Sequence, residues 1–182
     1  MTPAPTLTTT RLVLRGPLKR DLAAFTAWVT GSERMAAVGG PGTERDAWRG
    51  FIAGIGHWHW HGYGFFTVTE RESGIAIGRV GIINHIEWPQ PEMAWHMFDG
   101  YEGRSYAFEA ACAVRDWAGR ELGLEPLVSL ITPSNTRSLA LATRLGAREE
   151  RRDVVDGEHV IIFRHLAYDD KRAARQAAGV LR

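Results

Sequence analysis

The chain has 182 residues, 45% of them hydrophobic and 24% charged, a length and composition that suit one globular domain with its own core. A formal net charge of +1 argues against nucleic acid or an anionic membrane as the main partner. The lone cysteine, Cys112, excludes an intrachain disulfide framework and a cysteine-based metal site, and its apolar helical position reads as core packing.

The N-terminus, Met1-Thr-Pro-Ala-Pro-Thr6, has no basic segment followed by an apolar stretch, and no apolar run is long enough to span a bilayer, so a cytoplasmic protein is expected. Arg11-Leu-Val-Leu-Arg15 alternates like a short strand, and Leu22, Phe25, Trp28 and Val29 then follow at helical spacing. Val38 to Thr43 is a glycine-rich loop. Thr43-Glu-Arg-Asp46 reads as a capped start for a second helix carrying Trp48, Phe51, Ile52 and Ile55.

From Gly62 the period changes to two: Phe65 to Thr69, a turn around Glu72-Ser-Gly74, and Ile75 to Ile83 predict a hairpin. A loop leads to a strand from Met93 to Phe98, the third of three adjacent antiparallel strands. Small residues at the turn Glu102-Gly-Arg-Ser-Tyr-Ala107 open a helix from Ser105 to about Leu122, stopped by Gly123. Strand, turn and helix then recur as Leu127 to Ile131, Pro133 to Ser138, and a short helix ending at Leu145-Gly146. Val154-Val155 and Val160 to Phe163 form a closing hairpin across Asp156-Gly157. The Arg- and Ala-rich tail from Asp169 carries no assignable chemistry. A single domain over 8–168 with a tail over 169–182 is the expected organisation.

The first constellation that carries chemistry is the turn at Glu102 to Ala107. Its backbone N–H groups and the positive end of the following helix suit a pyrophosphate, with Arg104 available to a further phosphate. An ordinary strand-to-helix connection would read the same way. The second is Pro133 to Ser138, where Asn135 is a good helix cap in any case. Pairing raises its value, because two parallel strands that part at their C-terminal ends leave a crevice between their turns.

His57-Trp-His-Trp-His61 could hold a metal only if alternation placed the rings together. At a helix end it does not, and an aromatic wall beside a pocket is the expected reading. Glu87, Glu92, Asp99, Asp153 and His96 are candidate general bases, with Glu92 favoured because it opens the central strand.

These residues, in this order, resemble the GNAT superfamily of acyl-CoA-dependent N-acetyltransferases, and within it the branch similar to the Rim enzymes that acetylate amino termini of ribosomal proteins. The resemblance runs from about Thr10 to Leu166. It is carried by Thr10 to Arg15, Gly78-Arg-Val-Gly81, Glu92 to Trp95, Tyr101 to Ala107 with Glu109-Ala110, Asn135 to Ser138, and Leu145-Gly-Ala147.

The resemblance implies an α/β fold of the α+β sandwich type: a mixed, mainly antiparallel twisted sheet of about six to seven strands, splayed at its centre, with about four helices. It implies acetyl-CoA as cosubstrate, with no metal. Pantetheine would pair with backbone at Met97 and Phe98, and pyrophosphate would meet Glu102, Gly103, Arg104, Ser105, Tyr106 and Ala107. Asn135 would contact the pantetheine or thioester, Ser138 would lie near the sulfur, and Arg144 would approach the nucleotide. The superfamily's usual Gln or Arg is Glu102 here, and its usual central Gly is Ser105. Ser105 must then take an ordinary helical conformation if the cradle is to survive, and Glu102 adds negative charge near the dianion unless its side chain points to solvent.

The implied reaction is direct acetyl transfer in a ternary complex to a primary amine, on a protein or peptide N-terminus or a small molecule. Glu92 would act as base with Asp153 as second choice, backbone N–H near Met97 would stabilise the oxyanion, and Ser138 would protonate the thiolate. The first two helices, the Val38 to Thr43 loop and the aromatic run at Trp58 and Trp60 are the expected acceptor pocket. A non-catalytic acyl-CoA-binding or sensing module is the alternative, and a plain nucleotide-binding protein is a third. No nucleic-acid or membrane partner is expected, and an exposed aromatic surface would support a homodimer.

Overall fold

The computed structural model describes residues 4–86, 88, 90–124 and 126–169. Eight strands form one sheet: β1 (Leu7–Thr8), β2 (Leu12–Arg15), β3 (Phe65–Glu70), β4 (Ala76–Ile83), β5 (Glu92–Met97), β6 (Val128–Ile131), β7 (Arg148–Val155) and β8 (Glu158–Arg164). Their order is β1-β2-β3-β4-β5-β6-β8-β7, antiparallel throughout except between β5 and β6. The four α-helices are α1 (Leu22–Gly31), α2 (Glu44–His61), α3 (Tyr106–Trp117) and α4 (Thr136–Arg144). The architecture is the expected mixed, mainly antiparallel one. Its strand count rises above the expected number because the two-residue β1 pairs with β2, a segment too short to show a period.

Local chemistry explains most boundaries. Thr43 and Asp46 form a reciprocal capping box at the start of α2, satisfying N–H groups that the helix itself cannot. Asp156 and Gly157 both have positive φ, the two-residue turn that matches the twist of a hairpin. The last hairpin is longer than the apolar residues suggest, because β7 begins at Arg148. Its run of charged residues is exposed at the sheet edge, where such side chains also discourage pairing with another chain. A π-helical turn over Ala118–Leu122 ends the α3 segment before Gly123.

The two largest core clusters among the described residues lie on the two faces of the sheet. Leu12, Leu14, Phe66, Val80, Ile82 and Met93 pack with Ala110, Val114 and Trp117 of α3. Phe25, Trp28 and Val29 of α1 pack with Ala47 and Phe51 of α2 and with Phe98 on the other. Alternation along β5 therefore sends Met93, Trp95 and Met97 towards α3 and α4, and Glu92, His96 and Phe98 towards α1 and α2. No helix among the described residues is long and apolar enough to cross a membrane. Glu87 and residues 170–182 of the expected tail lie outside the described residues.

Candidate active site

The parallel strands β5 and β6 share one paired position, Glu92 with Val128, and separate beyond it. Where backbone pairing stops, the Glu92 carboxylate continues it by accepting a hydrogen bond from Leu130 N–H at 2.9 Å. Glu92 is only 7% exposed, and burial pushes its pKa up to about 8, against the smaller lowering effect of the Leu130 N–H. On the opposite face Trp95 Nε1 donates to Ser138 Oγ at 3.2 Å, so α4 is tied to β5 across the opening. The Ser138 hydroxyl accepts that bond and keeps its own hydrogen to donate.

Backbone direction decides which groups face the gap. Phe98 N–H donates to Ile77 at 2.8 Å and its carbonyl accepts from Tyr101 N–H, so Phe98 does not offer the backbone expected of it. Ser129 Oγ donates to the Met93 carbonyl from the β6 side. By strand alternation the N–H and C=O of Met97 point the same way as those of Met93, into the opening.

At the mouth of the gap, Ser105 caps α3 with φ 63° and ψ 13°, so the expectation of a helical conformation is overturned. The left-handed turn is needed because the chain must reverse direction before α3, and a serine there bears the steric cost a glycine avoids. Its side chain makes no capping bond to the helix, leaving the first-turn N–H groups of α3 to another acceptor. Ser105 Oγ instead accepts from Arg144 Nη1 at 2.9 Å, and the Arg144 guanidinium lies 4.2 Å from the Phe108 ring centre. Gly103 also has positive φ, and a Cβ there would meet nothing nearby, which leaves room over the turn.

The Glu102 charge is met within the protein: Arg34 Nη2 pairs with it, and Arg34 Nε lies 3.3 Å from Asp99. Arg104 lies near the Tyr101 ring, and its carbonyl accepts from Arg11. Tyr106 donates its hydroxyl hydrogen to Glu70 at 2.8 Å, so among these contacts it offers backbone only, as does the neighbouring Ala107. Asn135 Oδ1 accepts from Ser138 N–H at 3.2 Å and caps α4, with its amide N–H groups unpartnered among the described residues.

The remaining candidate bases stand elsewhere. Asp153 is exposed on β7, beside Arg151 at 3.4 Å, two strand spacings from β6, or about 10 Å. Asp99 accepts from Ser32 Oγ and Arg34. His96 Nδ1 accepts from Arg79 Nε at 2.9 Å, and burial holds the ring neutral, well below its ordinary pKa. With its one lone pair committed, His96 is a poor proton acceptor.

The histidine run corrects a further expectation. His57 donates from Nδ1 to the Tyr63 carbonyl and accepts Asn84 N–H at Nε2, a bonding that requires the neutral ring, consistent with its lowered pKa. Trp58 is buried against Phe66 and Trp117, whereas Trp60 is 82% exposed. Neither lines the cavity beside β5, and the described residues contain no cluster of three metal-ligating side chains. That cavity, of about 420 Å³, is walled by Trp28, Val29 and Met35, the Val38–Gly42 loop, Asp46, Arg79 and His96.

A family profile described as an acetyltransferase (GNAT) domain matches residues 11–148. N-acetyltransferase YnaD of Bacillus subtilis (strain 168) is 26% identical over 145 residues, 79% of this chain and 83% of that protein. A crystal structure of an acetyltransferase from Agrobacterium tumefaciens superposes with TM-score 0.83 at 36% identity, covering 91% of this chain and 96% of that one. The ribosomal-protein-S5-alanine acetyltransferase of Vibrio fischeri shares the fold, with TM-score 0.69 at 17% identity over 91% and 98% of the two chains. The parted strands, the open helix N-terminus beside them and these likenesses agree: the chain belongs to the GNAT family of N-acetyltransferases.

Proposed function

We propose that the protein transfers the acetyl group of acetyl-CoA directly to a primary amine, with both substrates held in the gap between β5 and β6. The observation that carries this reading is the buried Glu92 carboxyl at the point where the strands part. Acetyl-CoA supplies an acetyl thioester and a pyrophosphate. The unpartnered N–H groups at the start of α3 suit the pyrophosphate, with Gly103 to Ala107 forming the turn and Arg104 and Arg144 the nearby cations. Met97 backbone and the Asn135 amide suit the pantetheine.

An ammonium cannot attack, so the amine must lose a proton. Glu92, directly or through a water, takes it, and a pKa near 8 matches the reference range of about 7.7 to 8.0 for an α-amine. Met97 N–H stabilises the developing oxyanion, and Ser138, on the opposite face of the gap from Glu92, gives its hydroxyl hydrogen to the departing thiolate and regains one, through water, from the attacking nitrogen as that nitrogen becomes the amide. The second-choice base, Asp153, is less suited because it is exposed and paired with Arg151.

Thiol release from acetyl-CoA against peptide N-termini and small amines tests the reading. Acetylation of an amine with stoichiometric thiol release is expected. Calorimetric CoA binding without thiol release across the panel would leave only an acyl-CoA-binding or sensing module.

A further inference from the structure

Arg79 stands on β4 directly across from His96 on β5, flanked by Gly78 and Gly81. Those glycines are sterically required, since a Cβ at Gly78 would strike the His96 carbonyl and one at Gly81 would strike backbone at Gly64 and Phe65. The guanidinium they flank lies 4.5 Å from the Phe25 ring centre, 4.3 Å from Phe65 and 5.7 Å from Trp28. Nε is spent on His96. Nη1 and Nη2 have no acceptor among the described residues, and no carboxylate pairs with Arg79 there.

The acidic groups nearest in the fold are engaged otherwise. Asp21, on the wall of the small crevice behind Arg79, is held by two bonds from Arg15 and by Leu18 N–H and Thr67 Oγ1. Asp46, at the loop side of the cavity, accepts from Thr43 N–H and Oγ1. The Arg79 side chain is half-buried, and the rings beside it do not satisfy its N–H donors, so Nη1 and Nη2 are left facing the open side. This one opens on a cavity of about 420 Å³, a size that takes a small molecule.

We propose that Arg79 anchors an anionic group of the acceptor, so that the amine acetylated here is a small molecule carrying a carboxylate or phosphate, with apolar substance packed on Trp28, Val29, Met35 and Val38. The inference rests on the acetyltransferase reading above, and it narrows the acceptor from amines in general to anion-bearing ones. Desolvation also pushes the Arg79 pKa down to about 9, a shift that a bound anion would reverse. Placement agrees, because Arg79 and His96 are cross-strand partners and Met97, whose backbone faces the gap, is the next residue.

The test is equilibrium binding, read from tryptophan fluorescence because Trp28 is in the cavity wall, with leucine, leucinamide and phosphoethanolamine as probes. Leucine or phosphoethanolamine should bind the wild-type protein roughly tenfold or more tighter than leucinamide, the loss expected for a charge-assisted bidentate pair. The tighter of the two identifies the anion as carboxylate or phosphate. Arg79→Gln should abolish the preference and Arg79→Lys should restore part of it. Leucinamide binding as tightly as both anions, binding of none of the three, or an acid preference that survives in folded Arg79→Gln, would overturn the assignment. The wild-type comparison needs no variant to fold. A retained preference without thiol release from acetyl-CoA would instead sink the acetyltransferase reading alone.

Discussion

Glu92 and Leu130 meet where β5 and β6 stop pairing: a side-chain carboxylate takes the N–H that a neighbouring strand would otherwise have bonded, at 2.9 Å. The same carboxyl thus props the gap open and lies within it. Substitution separates the two roles. Glu92→Gln keeps an oxygen for Leu130 N–H but cannot take a proton, so turnover should fall by roughly a hundredfold, within the range for a lost general base, while calorimetric CoA affinity stays unchanged. Glu92→Ala leaves a buried N–H unpaired and should also cost about 1–3 kcal/mol in denaturant unfolding. Undiminished turnover in Glu92→Gln would remove Glu92 from the base role.

The raised pKa of Glu92 makes two signed predictions about pH. An unfolded glutamate releases its proton near about 4.3, whereas the buried one holds it to about 8, so between these values folding takes up a proton. Stability of the wild type relative to Glu92→Gln should therefore fall as pH rises through this window and level off above it, as followed by melting temperature. Activity runs the other way. Turnover should rise with pH towards a plateau above about 8, and the Glu92→Gln profile should lose the limb due to this carboxyl, keeping only that of the amine.

Much of this was legible in the primary structure because it rests on local chemistry. Thr43 with Asp46, and Asp156 with Gly157, are short-range signals, and they mark the start of α2 and the turn of the last hairpin as expected. Asn135 was readable as a cap for the same reason. What escaped depends on contacts between distant segments. Arg34 neutralises Glu102 from the turn after α1, and nothing near Glu102 in the chain announces it. The pairing of Arg79 with His96 needs the β4–β5 register, and the burial of Trp58 needs the approach of α3. Ser105 departs from its expected conformation because residue preference disfavours a left-handed serine, and the geometry of the turn overrides it.

Ser105 accordingly offers a stabilising substitution. Glycine at φ 63° relieves roughly 1 kcal/mol of steric cost, and the exposed bond to Arg144 that it forfeits is worth about 0.5 kcal/mol. Ser105→Gly should raise stability by roughly half a kcal/mol, with CoA affinity equal or better because the backbone of the turn is unchanged. A β-branched residue such as valine there should destabilise. Denaturant melts of the two variants check the sign, and a less stable glycine variant would mean that the Ser105–Arg144 bond outweighs the strain.

The Arg34–Glu102 pair makes the electrostatic prediction for the end of the gap proposed to hold the phosphates. The pair is partly exposed and its direct value to stability is small, in the range of about 0–1 kcal/mol. Its larger effect is on a dianion, because Glu102 without Arg34 places an uncompensated negative charge in the turn that leads into α3. Arg34→Ala should weaken CoA binding by about three- to tenfold at low salt, and the deficit should shrink as ionic strength rises. Adding Glu102→Gln to Arg34→Ala should restore most of the affinity, whereas Glu102→Gln alone should change it little. Calorimetry on the four proteins of this cycle measures the coupling. If the double variant binds CoA no better than Arg34→Ala, then Arg34 acts by holding the shape of the turn through Asp99 and not by cancelling the charge of Glu102.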